Sequence, residues 1–287
     1  MPIYIFPVMC YNNTCQGARK VYEAVATLNK LLQKIFQIFL KNPLTNSIIC
    51  AIISTSNERA KVILMEKIDR RKHYILVFDT ETANSLDDPL VYDIGWAIVD
   101  KHGRVYETKS FINADIFLDE KELMQTAYYK EKIPLYWDRH RNGETVIKSW
   151  YNIRKEFIAS IEKWRIKEVV AHNSRFDYRA TATTQRWLTK SKYRYFIPKD
   201  IEIWDTLKMA RDVIGTMPTY RKYCEENGYI CRNGQLKMTA EILYRFIKKD
   251  ETFIEEHTGL ADVLIEKEIL AYCYRQHKKM RKKLWNN

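Results

Sequence analysis

A chain of 287 residues, 46% of them hydrophobic, is long enough for one sizeable α/β domain plus an appendage. Its formal charge of +12 favours a polyanionic partner such as nucleic acid. The apolar runs at 31–40 and 48–53 are broken by Lys34, Lys41 and Pro43 and are too short to cross a bilayer, so no membrane span is expected.

The N-terminus, MPIYIFPVMC, has no basic stretch before its apolar residues, which argues against a secretory leader. Val21, Val25, Leu28, Leu32, Ile35 and Phe39 recur at alternating spacings of four and three, which predicts an amphipathic helix over roughly 17–41. Its partner is the main domain, another protein or a membrane surface. A charged linker follows at 65–73. Met65 offers an alternative start, in which case residues 1–64 form an extension outside the native product. Six cysteines, Cys10, Cys15, Cys50, Cys224, Cys231 and Cys273, form no CxxC pair, so a cysteine zinc site is not expected. Free thiols fit a reducing, cytoplasmic setting.

From residue 74 the pattern is that of a folded domain. Strands are predicted at 74–78, 91–99 and 104–112, the last two joined by a turn at Lys101, His102 and Gly103. A helix follows at 145–164, a strand at 168–171, a helix at 176–188 and a short strand at 202–204. Helices are predicted at 204–215, 218–227 and 238–247, and a last one opens near His257 and runs to about Tyr274. Leu260, Val263, Leu264 and Leu270 suit its buried side. The region 116–141, with Met124, Tyr128, Tyr129, Tyr136 and Trp137, is a candidate wall for a substrate groove. After 275 the chain ends in a basic tail, 276–287, either a solubilising end or a further contact with nucleic acid.

Three segments carry chemistry. YILVFDTET ends an apolar strand with Asp79 and Glu81, and residues i and i+2 of a strand point the same way. Paired carboxylates resist joint ionisation unless a hard cation such as Mg²⁺ or Mn²⁺ neutralises them. An isolated DxE is also a common solvated turn. EVVAHNSRFD repeats the pattern of a strand breaking into a polar turn, with Asp177 in the first turn of the next helix, where the dipole also favours an acid. HTGLAD places His257 about one and a half turns before Asp262. Asp93 and Asp205 are further acids on strands, read as supporting the site from behind or as structural, in preference to direct catalysis. Glu266, four residues after Asp262, either faces the site or belongs to a solvated helix face, and the solvated face is the preferred reading.

The order FDTET, HNSRFD, HTGLAD resembles the three motifs of the DEDDh family of 3′–5′ exonucleases, which includes the proofreading epsilon subunit of bacterial DNA polymerase III, ribonuclease T and oligoribonuclease. The resemblance covers roughly residues 74–274. Asp79 and Glu81 match the acids of the first motif, Asp177 that of the second, and His257 and Asp262 the third. Gly259 stands where many members have alanine, and Thr258 stands where a sister group has tyrosine.

The resemblance implies an α/β fold of the ribonuclease-H-like exonuclease type: a mixed central sheet flanked by helices at 74–275, with an N-terminal helical extension. It implies two divalent ions, Mg²⁺ or Mn²⁺, held by Asp79, Glu81, Asp177 and Asp262, with His257 as general base and Thr82 at the substrate. The expected reaction is stepwise hydrolysis of a nucleic acid with a free 3′ end, DNA in the first instance, to nucleoside 5′-monophosphates. The alternatives are a proofreading subunit acting with a polymerase or replication partner, an RNA-directed exoribonuclease, and a binding module without catalysis. The intact acid set argues against the last.

Overall fold

The computed structural model of the chain describes residues 51–54, 61–64, 68–192 and 194–284. The chain divides into two units, Met1–Asp69 and Arg70–Asn287. In the first, β1 (Ala51–Ser54) pairs antiparallel with β2 (Lys61–Leu64), Ala51 opposite Leu64. The amphipathic helix expected at 17–41 and the alternative start at Met65 lie outside the described residues.

The second unit is built on a six-stranded sheet. Its strands are β3 (Ile75–Ala83), β4 (Leu90–Val99), β5 (Val105–Asn113), β6 (Val146–Lys148), β7 (Glu168–Ala171) and β8 (Glu202–Asp205), in the spatial order β6-β5-β4-β3-β7-β8. β3, β4 and β5 form an antiparallel meander, and β7 and β8 extend it in parallel from β3. Antiparallel strands first and βα alternation later give the mixed central sheet expected from the sequence.

Helices cover the sheet. Short α1 (Ala114–Phe117) and α2 (Lys121–Met124) lead through a 3₁₀ turn into α3 (Ile133–Arg141). α4 (Trp150–Trp164) precedes β7 and α5 (Arg175–Thr189) follows it. α6 (Thr206–Val213), α7 (Pro218–Glu226), α8 (Ala240–Lys248) and α9 (Gly259–Arg275) complete the domain. Among the described residues, no helix is long and apolar enough to cross a membrane.

Alternation along β3 sorts its side chains by face. Ile75 and Val77 join a cluster with Val263, Ile269 and Leu270 of α9 and Met209 and Val213 of α6. Phe78 packs edge-on to Phe157 of α4, which also meets Trp96 and Phe196.

Two local readings are corrected. The helix predicted from residue 145 starts only at Trp150, because Val146 and Ile147 are β-branched and pair in parallel with Phe111 and Ile112. Leu264 is not on the buried side of α9 but 38% exposed, and Ile265 and Ile269 take that side instead. The basic tail also has a structural role. Its end runs antiparallel to β8, with Lys283 bridging Trp204, and Arg281 grips Asp212 through Nη2 at 2.7 Å. It thereby covers an edge strand whose backbone groups would otherwise be open to pairing.

Candidate active site

Asp79 and Glu81 continue the face of β3 that carries Ile75 and Val77, so they point toward α9. α9 meets this strand end unusually closely. Gly95 of β4 lies opposite Asp79, and a Cβ on it would fall 2.3 Å from the Leu260 nitrogen. A Cβ on Gly259 would fall 2.6 Å from the Gly95 nitrogen. Two glycines thus let the backbone of α9 rest on the backbone of the sheet. Asp93 fixes the contact by accepting the Gly259 N–H on Oδ2 at 2.9 Å. Asp262, in the first turn of α9, is thereby carried to Asp79 and Glu81, and carboxylate oxygens of the three lie within 4.8 Å of one another.

Asp177 enters from the first turn of α5. The Thr80 hydroxyl donates to its Oδ1 at 2.8 Å, tying it to the strand that bears Asp79 and Glu81. Thr82 stands just beyond Glu81, at a register shift in the β3–β4 pairing, and is half-buried.

Electrostatics mark the acids as unbalanced. Burial, then Asp177, pushes Asp79 well above the ordinary carboxylate range. Burial, then Asp262, pushes Glu81 up to about 9. Burial raises Asp177 to about 7, against the opposing Thr80 hydrogen bond. Burial, then Glu255, raises Asp262 to about 8.

Two acids join the site that sequence reading left out. Glu266 is not on a solvated face: it is 2% exposed, and its Oε1 accepts the His172 N–H at 3.0 Å. Its spacing of four from Asp262, inside a stripe with Val263, Ile269 and Leu270, was a legible signal, since that spacing puts both acids on the buried face. Glu255 lies beside His257, with burial pushing it up to about 7. Nothing in its sequence context marks it.

The residues fit a hard divalent cation. Their donors are carboxylate oxygens, as Mg²⁺ and Mn²⁺ prefer. Asp262 Oδ1 and Glu266 Oε2 are buried with no hydrogen-bond partner, although buried polar atoms rarely lack one.

His257 precedes α9 in a left-handed conformation, φ 51°, which is strained for a residue with a Cβ. Side chains from the preceding region hold it. Tyr129 stacks on its ring at 4.5 Å between centroids. Arg139 Nη1 donates to Thr258 Oγ1 at 2.7 Å, its Nη2 donates to Glu256, and Lys132 donates to the Glu256 carbonyl. Burial, reinforced by Lys132, holds the His257 pKa below its ordinary value, so the ring is neutral near pH 7.

A cleft of about 1000 Å³ opens on Asp79, Asp262 and Glu266 and continues past Arg211, Arg221 and Lys237. Its walls come from α6, α7 and the approach to α8. Of the 116–141 region, Met124 and Tyr136 are core, Tyr129 and Lys132 touch the His257 loop, and Tyr128 and Trp137 are exposed. Asp205 caps α6 by accepting the Leu207 N–H at 2.9 Å, a structural use like that of Asp93.

A scan against protein-family models finds no match, and neither does a search of curated proteins. Solved structures show distant likenesses. Exonuclease X in complex with 5′-overhanging duplex DNA is 15% identical over 71% of this chain and 92% of its own, at a TM-score of 0.38. Pop2p of S. pombe, in its Mg²⁺- and Mn²⁺-bound form, is 13% identical over 72% of this chain and 84% of its own, at 0.42. A full-length 3′-exonuclease is 14% identical over 79% of this chain and 69% of its own, at 0.45. Likenesses this distant carry neither substrate nor activity over to this chain, and the functional reading rests on the site's own geometry.

Proposed function

We propose that the chain is a metal-dependent 3′–5′ exonuclease of the DEDDh type. The carrying observation is the meeting of Asp79, Glu81 and Asp262 at one strand end, with Asp177 tied to the same strand and His257 at the rim. Asp79, Glu81, Asp177 and Asp262 would hold two divalent ions. When bound, such ions supply a hydroxide nucleophile and stabilise charge on the phosphate and the leaving oxygen.

The chain's own residues do the rest. His257, neutral near pH 7, accepts the proton of the attacking water, a role worth about 10²–10⁴-fold. Tyr129 and the Arg139–Thr258 bond fix its ring and loop. Thr82, one residue beyond Glu81, would contact the terminal nucleotide. Arg211, Arg221 and Lys237 offer positive charge to the phosphates beyond it. The product is a nucleoside 5′-monophosphate.

The test is digestion of matched labelled DNA and RNA, single- and double-stranded, with Mg²⁺ or with EDTA, using wild type and Asp79→Asn. Mononucleotides released stepwise from an open 3′ end, and none from a blocked end, are expected in Mg²⁺ only. Full activity of Asp79→Asn, or efficient nicking of closed circular DNA, would overturn the proposal. DNA is the first substrate to try.

A further inference from the structure

A second donor set shares Asp262 with the first. Glu255, His257 and Asp262 each offer one atom within a mutual 4.8 Å. His257 Nδ1 lies 3.7 Å from Glu255 Oε2 and 4.0 Å from Asp262 Oδ2. The composition differs from that of the acids on β3. Carboxylates alone suit Mg²⁺ and Mn²⁺, whereas an added imidazole suits zinc and its d-block neighbours.

Burial accompanies this donor set. Asp262 is 6% exposed, and its Oδ1 has no partner. Glu255 is drawn inward beside it, its side chain only 11% exposed. His257 is held in place by the Tyr129 stack and by a strained backbone clamped through Arg139. One imidazole and two carboxylates make three donors, the number that zinc sites use when they keep one position for water or substrate.

We propose that Glu255, His257 and Asp262 form a Zn²⁺ site overlapping the Mg²⁺ site, and that Zn²⁺ bound there inhibits the enzyme. Metal on Nδ1 leaves the ring unable to accept a proton, and Asp262 is withdrawn from the Mg²⁺ shell. The inhibition rests on the exonuclease reading above; the binding does not.

The test separates the two. Full-length protein stripped with EDTA and desalted is titrated with Co²⁺, a coloured stand-in for Zn²⁺, and then with Zn²⁺ or Mg²⁺. One equivalent of Co²⁺ should give a strong visible band of low-coordinate type, bleached by Zn²⁺ and not by excess Mg²⁺. Glu255→Gln and His257→Ala should each weaken Zn²⁺ by more than about tenfold, a loss that even outer-shell partners of metal ligands can cause. Asp79→Asn and Glu81→Gln should keep it. Thermal melts of each variant confirm folding. Zn²⁺ binding lost in Asp79→Asn but kept in Glu255→Gln would place zinc among the β3 acids and overturn the site. So would the absence of a Co²⁺ band in folded wild type. If the band behaves as expected and no nucleic acid is cleaved, the site stands and the exonuclease reading falls. If cleavage occurs and Zn²⁺ leaves it unchanged at site saturation, the inhibitory role is wrong.

Discussion

Glu266 sits one helical turn beyond Asp262, and its Oε2 is buried without a donor while burial, then Asp177 and Asp262, opposes its ionisation. Gln at this position keeps the shape and still accepts the His172 N–H, but removes the charge. In EDTA, Glu266→Gln should therefore melt higher than wild type, by about 2–4 °C for each kcal/mol of repulsion relieved in a chain of this size. Melting lower in EDTA would show that Glu266 is held by a favourable contact and not frustrated by its neighbours. His257 makes the opposite kind of prediction, since it acts on rate rather than stability. His257→Ala should lower kcat by about 10²–10⁴ and leave KM and the Mg²⁺ requirement nearly intact. The rising limb of the wild-type pH–rate profile should lie below the ordinary imidazole value, because burial depresses the ring, and it should vanish in the mutant. An unchanged profile would remove His257 from proton transfer.

The decisive contact between elements is backbone against backbone, where β4 passes under the start of α9. A methyl at Gly95 would sit 2.3 Å from the Leu260 nitrogen and 2.5 Å from the Gly259 carbonyl carbon, neither of which can swing away as a side chain can. Gly95→Ala should push α9 off the sheet, cost about 1–3 kcal/mol as overpacking does, and move Asp262 away from Asp79. Activity should fall by about 10²-fold, the effect of a misplacement near 1 Å, and the Mg²⁺-induced rise in Tm should shrink. A folded Gly95→Ala with wild-type metal affinity would show that Asp262 is placed by something else. This contact also marks the limit of what the sequence reveals. The motif acids were legible because strand alternation and helix spacing aim them before any tertiary contact forms. Gly95 was not, since a glycine within YDIGWAIVD has the same local pattern whether or not a helix presses on it. Val146 and Ile147 were lost to a helix for a related reason: pairing with β5 decides their state, and that partner is remote in sequence. Glu255 and the Tyr129 stack depend wholly on tertiary placement.

At the scale of the whole molecule, a chain of net charge +12 encloses a small cluster of acids. Its acids have folded-state pKa values above those of the unfolded chain, about 9 for Glu81, about 8 for Asp262 and about 7 for Asp177. Unfolded carboxyls titrate near 4. Between those limits the folded state holds more protons than the unfolded one, so these groups favour the fold at low pH and progressively lose that contribution as pH rises toward 9. The basic surface works in the other direction, because its self-repulsion eases as pH rises. Asp79→Asn separates the two effects, since it leaves the basic surface unchanged and removes the acid at the centre of the cluster. In EDTA the Tm advantage of Asp79→Asn over wild type should be small at pH 5 and should widen steadily to pH 9. Mg²⁺ should erase the gap by raising the wild type, by about 2.7 kcal/mol at a hundredfold excess over Kd. That rise should be larger at high pH, because the ligands must shed protons before they bind metal. A gap that stays constant from pH 5 to 9, or a wild type indifferent to Mg²⁺ at pH 8, would mean that the acids are neutralised by the protein itself and that no ion belongs between them.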